Sequence, residues 1–143
     1  MSTESTRVSR QQTLQQHRAA DAWKCIADVE EVKNNDTRKE YGSLVRSLPA
    51  MIQRDGLGSM MAFLDAKAKK SDPYKLVGGH LSGWVLGQLA EKDEVLTDLS
   101  PWILQQDSTT YRRATAEAQA YLLWLKRFAE AKNWGEEQTP NGN

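Results

Sequence analysis

Between Tyr41 and Leu64 the apolar residues keep helical spacing on both sides of a single glycine, a pattern that few folds accept. At 3.6 residues per turn, Tyr41, Leu44, Val45, Leu48, Met51 and Ile52 share one side of a helix, and Lys39, Arg46 and Arg54 share the other. Pro49 lies inside this run and removes one ladder hydrogen bond, which predicts a bend. Gly56 supplies a left-handed ending, after which Leu57, Met60, Met61 and Leu64 resume the spacing at once. The stretch therefore predicts two helices joined at a Gly-Leu-Gly corner, apolar within and basic without.

The flanking segments follow the same period. Ser9-x-x-Gln12 is a weak capping box, and Leu14, Ala19, Ala22, Trp23, Cys25, Ile26, Val29 and Val32 then cover one broad helical face. Asn34-Asn-Asp36 breaks that helix, and Thr37-x-x-Glu40 reads as the box that opens the next. Asp72-Pro73 and Ser100-Pro101 are cap-plus-proline signals for two further helices. Gly79, Gly83 and Gly87 line one side of the first of these, which implies a close neighbour or an irregular segment. From Thr109 to Lys132 a long helix carries its core stripe on Tyr111, Ala114, Thr115, Ala118, Leu122, Leu125, Phe128 and Ala129. No window keeps period two for long. The expectation is an all-α fold, a single compact helical bundle of about six helices over 1–143, with 1–8 and 136–143 as flexible tails.

Charge is balanced globally and segregated locally. Lys+Arg and Asp+Glu number 19 each, so no net field draws the chain to nucleic acid or membrane. Residues 38–75, however, hold eight Lys/Arg against four Asp/Glu, and residues 91–107 hold one Lys against five acids. One cysteine excludes an internal disulfide, and no apolar run reaches the ~18–20 residues of a membrane span. With no apolar leader at the N-terminus, the expected location is the cytoplasm.

Reactive constellations are missing from the pattern. His17 and Cys25 lack the ligand spacing of a zinc site, and His80 has no partner histidine or acidic triad member nearby. Gly78-Gly79 and Gly56-x-Gly58 lack the strand and the Gly-Lys-Ser/Thr of a phosphate cradle. Met60-Met61 reads as core, and Glu91, Asp93, Glu94 and Asp98 as a solvated linker. No catalytic residue, cofactor, metal or small-molecule substrate is expected.

Two surfaces remain. One is the basic side of the central region, with Lys39, Arg46, Arg54, Lys67, Lys69, Lys70 and Lys75. The other is the back of the last helix, where Arg113, Ala116, Ala120, Leu123, Trp124, Arg127 and Ala131 lie together. That second surface could pack on a helix of the same domain, seat a partner through Leu123 and Trp124, or meet nucleic acid.

Two blocks carry a resemblance. Tyr41-Gly-Ser-Leu-Val-Arg-Ser-Leu-Pro-Ala-Met-Ile-Gln-Arg-Asp-Gly-Leu-Gly with Met61-Ala-Phe-Leu64 resembles the "small residue, Leu-Pro, Gly-Leu, apolar helix" signature of the small helical subunit of type III-B CRISPR–Cas effectors, the Cmr complexes. Tyr111-Arg-Arg-Ala-Thr-Ala-Glu-Ala-Gln-Ala-Tyr-Leu-Leu-Trp-Leu-Lys-Arg-Phe-Ala129 resembles that family's C-terminal helix, and the likeness spans roughly Val8 to Lys132. The resemblance implies a non-catalytic subunit in antiviral defence. Several copies would stack beside a crRNA-carrying backbone of RAMP-fold subunits, with target RNA paired to the guide between them. Its partners would be the other subunits, further copies of itself, and crRNA or target RNA. In that reading Lys39, Arg46, Arg54, Lys67, Lys70, Arg112, Arg113, Lys126 and Arg127, chosen as exposed on the helical wheels, are candidate RNA-backbone contacts. The rival is a protein–protein adaptor that touches no nucleic acid.

Overall fold

A computed structural model describes residues 3–135, with side chains described from Thr13 to Gly135. Six α-helices and no strand occur among them: α1 (Thr3–Glu31), α2 (Asn35–Asp55), α3 (Leu57–Ala68), α4 (Asp72–Leu89), α5 (Leu99–Ile103) and α6 (Ser108–Ala131). The all-α expectation holds. The expected C-terminal tail, 136–143, lies outside the described residues.

Local chemistry sets the helix boundaries, in places a few residues from where the sequence put them. α1 runs through Ser9 without a break, so the Ser9-x-x-Gln12 box does not start it. α2 opens at Asn35, because the Asn34 side chain accepts from the Thr37 N–H at 3.1 Å. Thr37 itself is buried in the first turn, and the box that begins there is not the cap. Pro49 sits inside α2 without ending it. Its carbonyl accepts from Gln119 Nε2 of α6 at 3.1 Å. Gly56 adopts φ +93°, gives its N–H to the Ile52 carbonyl at 2.8 Å, and is at once the end of α2 and the start of α3. For α4 the cap is Ser71, one residue before Asp72. For α5 it is Asp98, which accepts from Ser100 N–H, and the helix begins before Ser100-Pro101.

α6 is the central strut. α1 runs parallel to it, since partners advance together: Arg18 with Glu117, Cys25 with Tyr121, Glu30 with Lys132. α2 runs antiparallel to it, with Pro49 at Gln119 and Arg46 at Glu130, and Gly58 at the start of α3 meets Tyr111 at the start of α6. The core between them holds Ala22, Ile26, Val29, Tyr41, Val45, Leu48, Leu57, Met60, Met61, Leu64, Val77, Leu81, Val85, Tyr121, Leu122 and Leu125, all essentially inaccessible. Met60 and Met61 are core, as their spacing implied.

Two expectations about faces need correction. On α1 only the Ala22, Cys25, Ile26, Val29 side is buried; Leu14, Trp23 and Val32 are 42%, 49% and 42% exposed. A helix packed in the crevice of two others buries a narrower stripe than its full apolar arc. On α4, Gly79, Gly83 and Gly87 have no close neighbour, and a Cβ at any of them would meet nothing within 4 Å. Nothing among the described residues requires them, and α4 is regular throughout. Close approach occurs instead at Gly42, where a Cβ would lie 2.5 Å from the Trp134 carbonyl carbon, and at Gly135 (φ +83°), 2.5 Å from the Ser43 nitrogen. These two glycines let the turn after α6 fold onto α2 and bury Trp134, whose N–H bonds the Ala129 carbonyl at 2.9 Å.

Candidate interaction surfaces

The titratable groups inside the bundle are bound to one another. Glu117 of α6 accepts from Arg18 Nε and Nη2 at 2.7 and 3.0 Å and from Trp84 Nε1 at 2.7 Å. Burial pushes its carboxyl upward, but the Arg18 and Trp84 hydrogen bonds outweigh this and hold it below the ordinary carboxylate range. One turn on, Tyr121 donates to Asp21 Oδ1 at 2.5 Å, which leaves the Cys25 thiol, 3.0 Å away, to donate to the phenol oxygen. Burial raises the Cys25 pKa to about 12, so it stays a thiol and is no nucleophile. His80 Nδ1 lies 2.8 Å from the Tyr41 hydroxyl, and burial lowers its pKa to about 4 against the weaker pull of Asp28 and Asp21. It is a neutral acceptor that satisfies a buried phenol. His17 is exposed and lies apart from both. Among the described residues no three His, Cys, Asp or Glu side chains are placed to hold a metal.

The nine candidate cations separate into groups. Lys39 is exposed at the start of α2, and Lys67 and Lys70 are exposed at the end of α3. These meet at one end of the bundle, because α3 returns antiparallel to α2 and the start of α4 closes on α2 through Tyr74 and Glu40. Lys33, Lys69 and Lys75 are exposed at the same end. Among the described residues none of these six forms an ion pair. At the opposite end, Arg54 is tied to Asp55 at 2.9 Å, and Arg112 stands near Asp107. The exposed acids Glu91, Asp93 and Glu94 lie here too, just after α4, whereas Asp98 shares a hollow with Asp65, Ala68 and Lys75, toward the basic end.

Arg46 is not a free surface cation. It is half-buried, donating to the Trp134 carbonyl at 3.3 Å and facing Glu130 at 3.8 Å, so it holds the turn after α6 onto α2. Lys126 is half-buried on the same flank of α6. Arg113 and Arg127 are exposed along the back of α6 and form no ion pair among the described residues.

Leu123 and Trp124, the candidate partner contacts, diverge by one helical step. Leu123 points outward, 42% exposed, whereas Trp124 leans toward α1. Trp124 and Phe128 rings are 5.6 Å apart, and Phe128 meets Trp23 of α1 edge to face at 5.0 Å. The Lys132 ammonium sits 5.2 Å above the Trp23 ring. Beside Trp124 a groove of about 370 Å³ opens between the two helices, lined also by Gln15, Gln16 and Ala19. The sequence places Trp23 on the broad apolar face of α1 without showing the groove, because two wheels drawn separately do not show which flanks face each other.

A six-helix bundle with Glu117, Tyr121 and Tyr41 hydrogen-bonded inside, and charged and aromatic side chains on its outside, defines the class as a compact all-helical domain. The comparisons with known proteins narrow this class. The family model described as "CRISPR-associated protein (Cas_Cmr5)" matches residues 14–132. The chain is 32% identical over 110 residues to the CRISPR system Cmr subunit Cmr5 of Thermus thermophilus, covering 77% of this chain and 90% of that one. Its fold is similar to the crystal structure of a CRISPR-associated Cmr5 family protein from Thermus thermophilus, with TM-score 0.64 and 28% identity over 82% of this chain and 95% of that chain. The chain belongs to the Cmr5 family.

Proposed function

We propose that this chain is a non-catalytic small subunit of a type III-B CRISPR effector complex, working in the cytoplasm in antiviral defence. Several copies stack beside the crRNA-carrying backbone and hold the phosphates of crRNA or target RNA by charge. The observation that carries the reading is the gathering of exposed Lys33, Lys39, Lys67, Lys69, Lys70 and Lys75 at one end of a Cmr5-family chain whose net charge is zero. A globally neutral protein with basic and acidic ends can approach RNA at one end and a second copy at the other without repelling it. Lys39, Lys67 and Lys70 are the leading RNA contacts among the nine candidates. Arg54 and Arg112 have acidic neighbours, Arg46 is held in the α2–α6 seam, and Lys126 is half-buried.

Lys67→Glu with Lys70→Glu tests this in the assembled complex. The double variant folds normally and retains less RNA than the parent, with the difference largest at low salt. Retention equal to that of the parent across the salt series refutes the phosphate-holding role. The adaptor reading has its own support in the exposed aromatic groove of α1 and α6. Crosslinking of 4-thiouridine RNA to this subunit separates the two, since an adaptor acquires no label.

A further inference from the structure

The groove between α1 and α6 is the part of the surface that the RNA reading leaves unused. It is lined by Gln15, Gln16 and Ala19 of α1 and Trp124 of α6; the ring contacts Trp124–Phe128 and Phe128–Trp23 continue its apolar surface, Leu123 stands exposed beside it, and Ala116 and Ala120 share the Trp124 side of α6. Trp23 and Leu123 are 49% and 42% exposed, and Trp124 and Phe128 keep part of their rings accessible while packing on the core. Two helices side by side leave a furrow that a third helix fills, and alanine flanks permit the 8–10 Å axial distance that this packing needs. On the solvent rim stand Arg113 and Arg127, one helical face of α6, both exposed and without an ion pair among the described residues.

We propose that this groove receives an amphipathic helix of another protein subunit, whose apolar ridge rests on Trp124, Trp23 and Phe128 and whose flanking carboxylates meet Arg113 and Arg127. The chemistry favours a helix over a nucleic acid strand. Base stacking needs open aromatic faces. Here Trp23 and Phe128 are set 80° to each other, and the Trp23 face is covered by Lys132. Trp and Arg around an apolar pocket are instead the composition of a protein hot spot, and helix-in-groove recognition uses such anchors at helical spacing. The occupant is acidic because the rim is cationic. A second copy also carries exposed acids on its helices, among them Asp28 and Glu31 of α1 and Asp36 and Glu40 of α2, so it is the competing occupant, and self-association of the isolated chain through this groove would overturn the proposal.

This inference rests on the proposal that the chain works in a multisubunit assembly, but its test uses the isolated full chain. The probe is a labelled peptide of roughly five helical turns, with leucines at helical spacing and glutamates on both flanks; the same peptide with lysine flanks and a single-stranded RNA are the comparison arms. The expected result is binding of the glutamate peptide, with a shift in tryptophan emission. Trp124→Ala weakens it about tenfold or more, and Arg113→Glu with Arg127→Glu reverses the preference toward lysine flanks. Circular dichroism confirms that the variants fold. No binding, equal binding of both peptides, or RNA binding lost in the same variants each overturns the proposal. Retention of the chain in the assembly is scored separately. Loss of retention with peptide binding intact sinks the complex reading alone, and the converse sinks the groove alone.

Discussion

At the scale of single residues, Glu117 has the most demanding position. It accepts three hydrogen bonds from Arg18 and Trp84, and the Arg18 and Glu117 side chains are only 14% and 15% exposed. Glu117→Ala leaves a guanidinium and an indole N–H short of partners, and should cost about 2–3 kcal/mol in urea unfolding. Glu117→Gln keeps an acceptor for Trp84 and should cost less. His80 sets an acid limit. Its pKa is about 4 in the fold, against the ordinary 6.5 of an unfolded chain. As pH falls below 6.5 the unfolded chain binds a proton that the folded one refuses, so stability declines until about pH 4 and this contribution then levels off. Between pH 7 and 5 the loss should be about 2 kcal/mol. His80→Gln should flatten that dependence; an unchanged slope in chemical denaturation at the two pH values contradicts the assignment.

At the scale of elements, glycines separate what the sequence declares from what only packing reveals. Gly56 was legible, because it interrupts and restarts an apolar period. Gly42 was not: it lies inside a good helical pattern, and its neighbour Trp134 is ninety-two positions away in the chain. The α4 glycines misled in the other direction, since spacing by four indicates a common side without saying whether anything lies against it. Gly42→Ala should therefore destabilise by about 1–3 kcal/mol through overpacking, and free Trp134, a change visible in its fluorescence. Gly83→Ala should stabilise the isolated chain by about 0.5–1 kcal/mol. Helix number and order were readable because amphipathic periods are local. Starts were misplaced at Asn35 and Leu99, where the Asn34 and Asp98 side chains supply the cap two or three residues before the expected one, and at Asp72, where Ser71 is the cap residue but its side chain makes no cap hydrogen bond. The basic residues were legible as a set, but their division into a free end, a paired end and a seam depends on helix directions that composition does not carry.

At the scale of the whole molecule, charge is arranged along the bundle axis, basic where α3 ends and acidic just after α4. Salt should expose this. In an assembly holding RNA, the dependence of affinity on salt should lessen by about one phosphate-equivalent for each of Lys67 and Lys70 removed. A parallel slope for parent and double variant places the contacts elsewhere. The Gly56 junction has a further consequence for anyone altering the protein. With a single residue between α2 and α3 there is no slack, so one inserted amino acid would swivel α3 by about 100° and turn Met60, Met61 and Leu64 out of register. Labels, tags and grafted peptides therefore belong before Val95, which is 95% exposed and outside any helix, leaving Leu96 packed on the core.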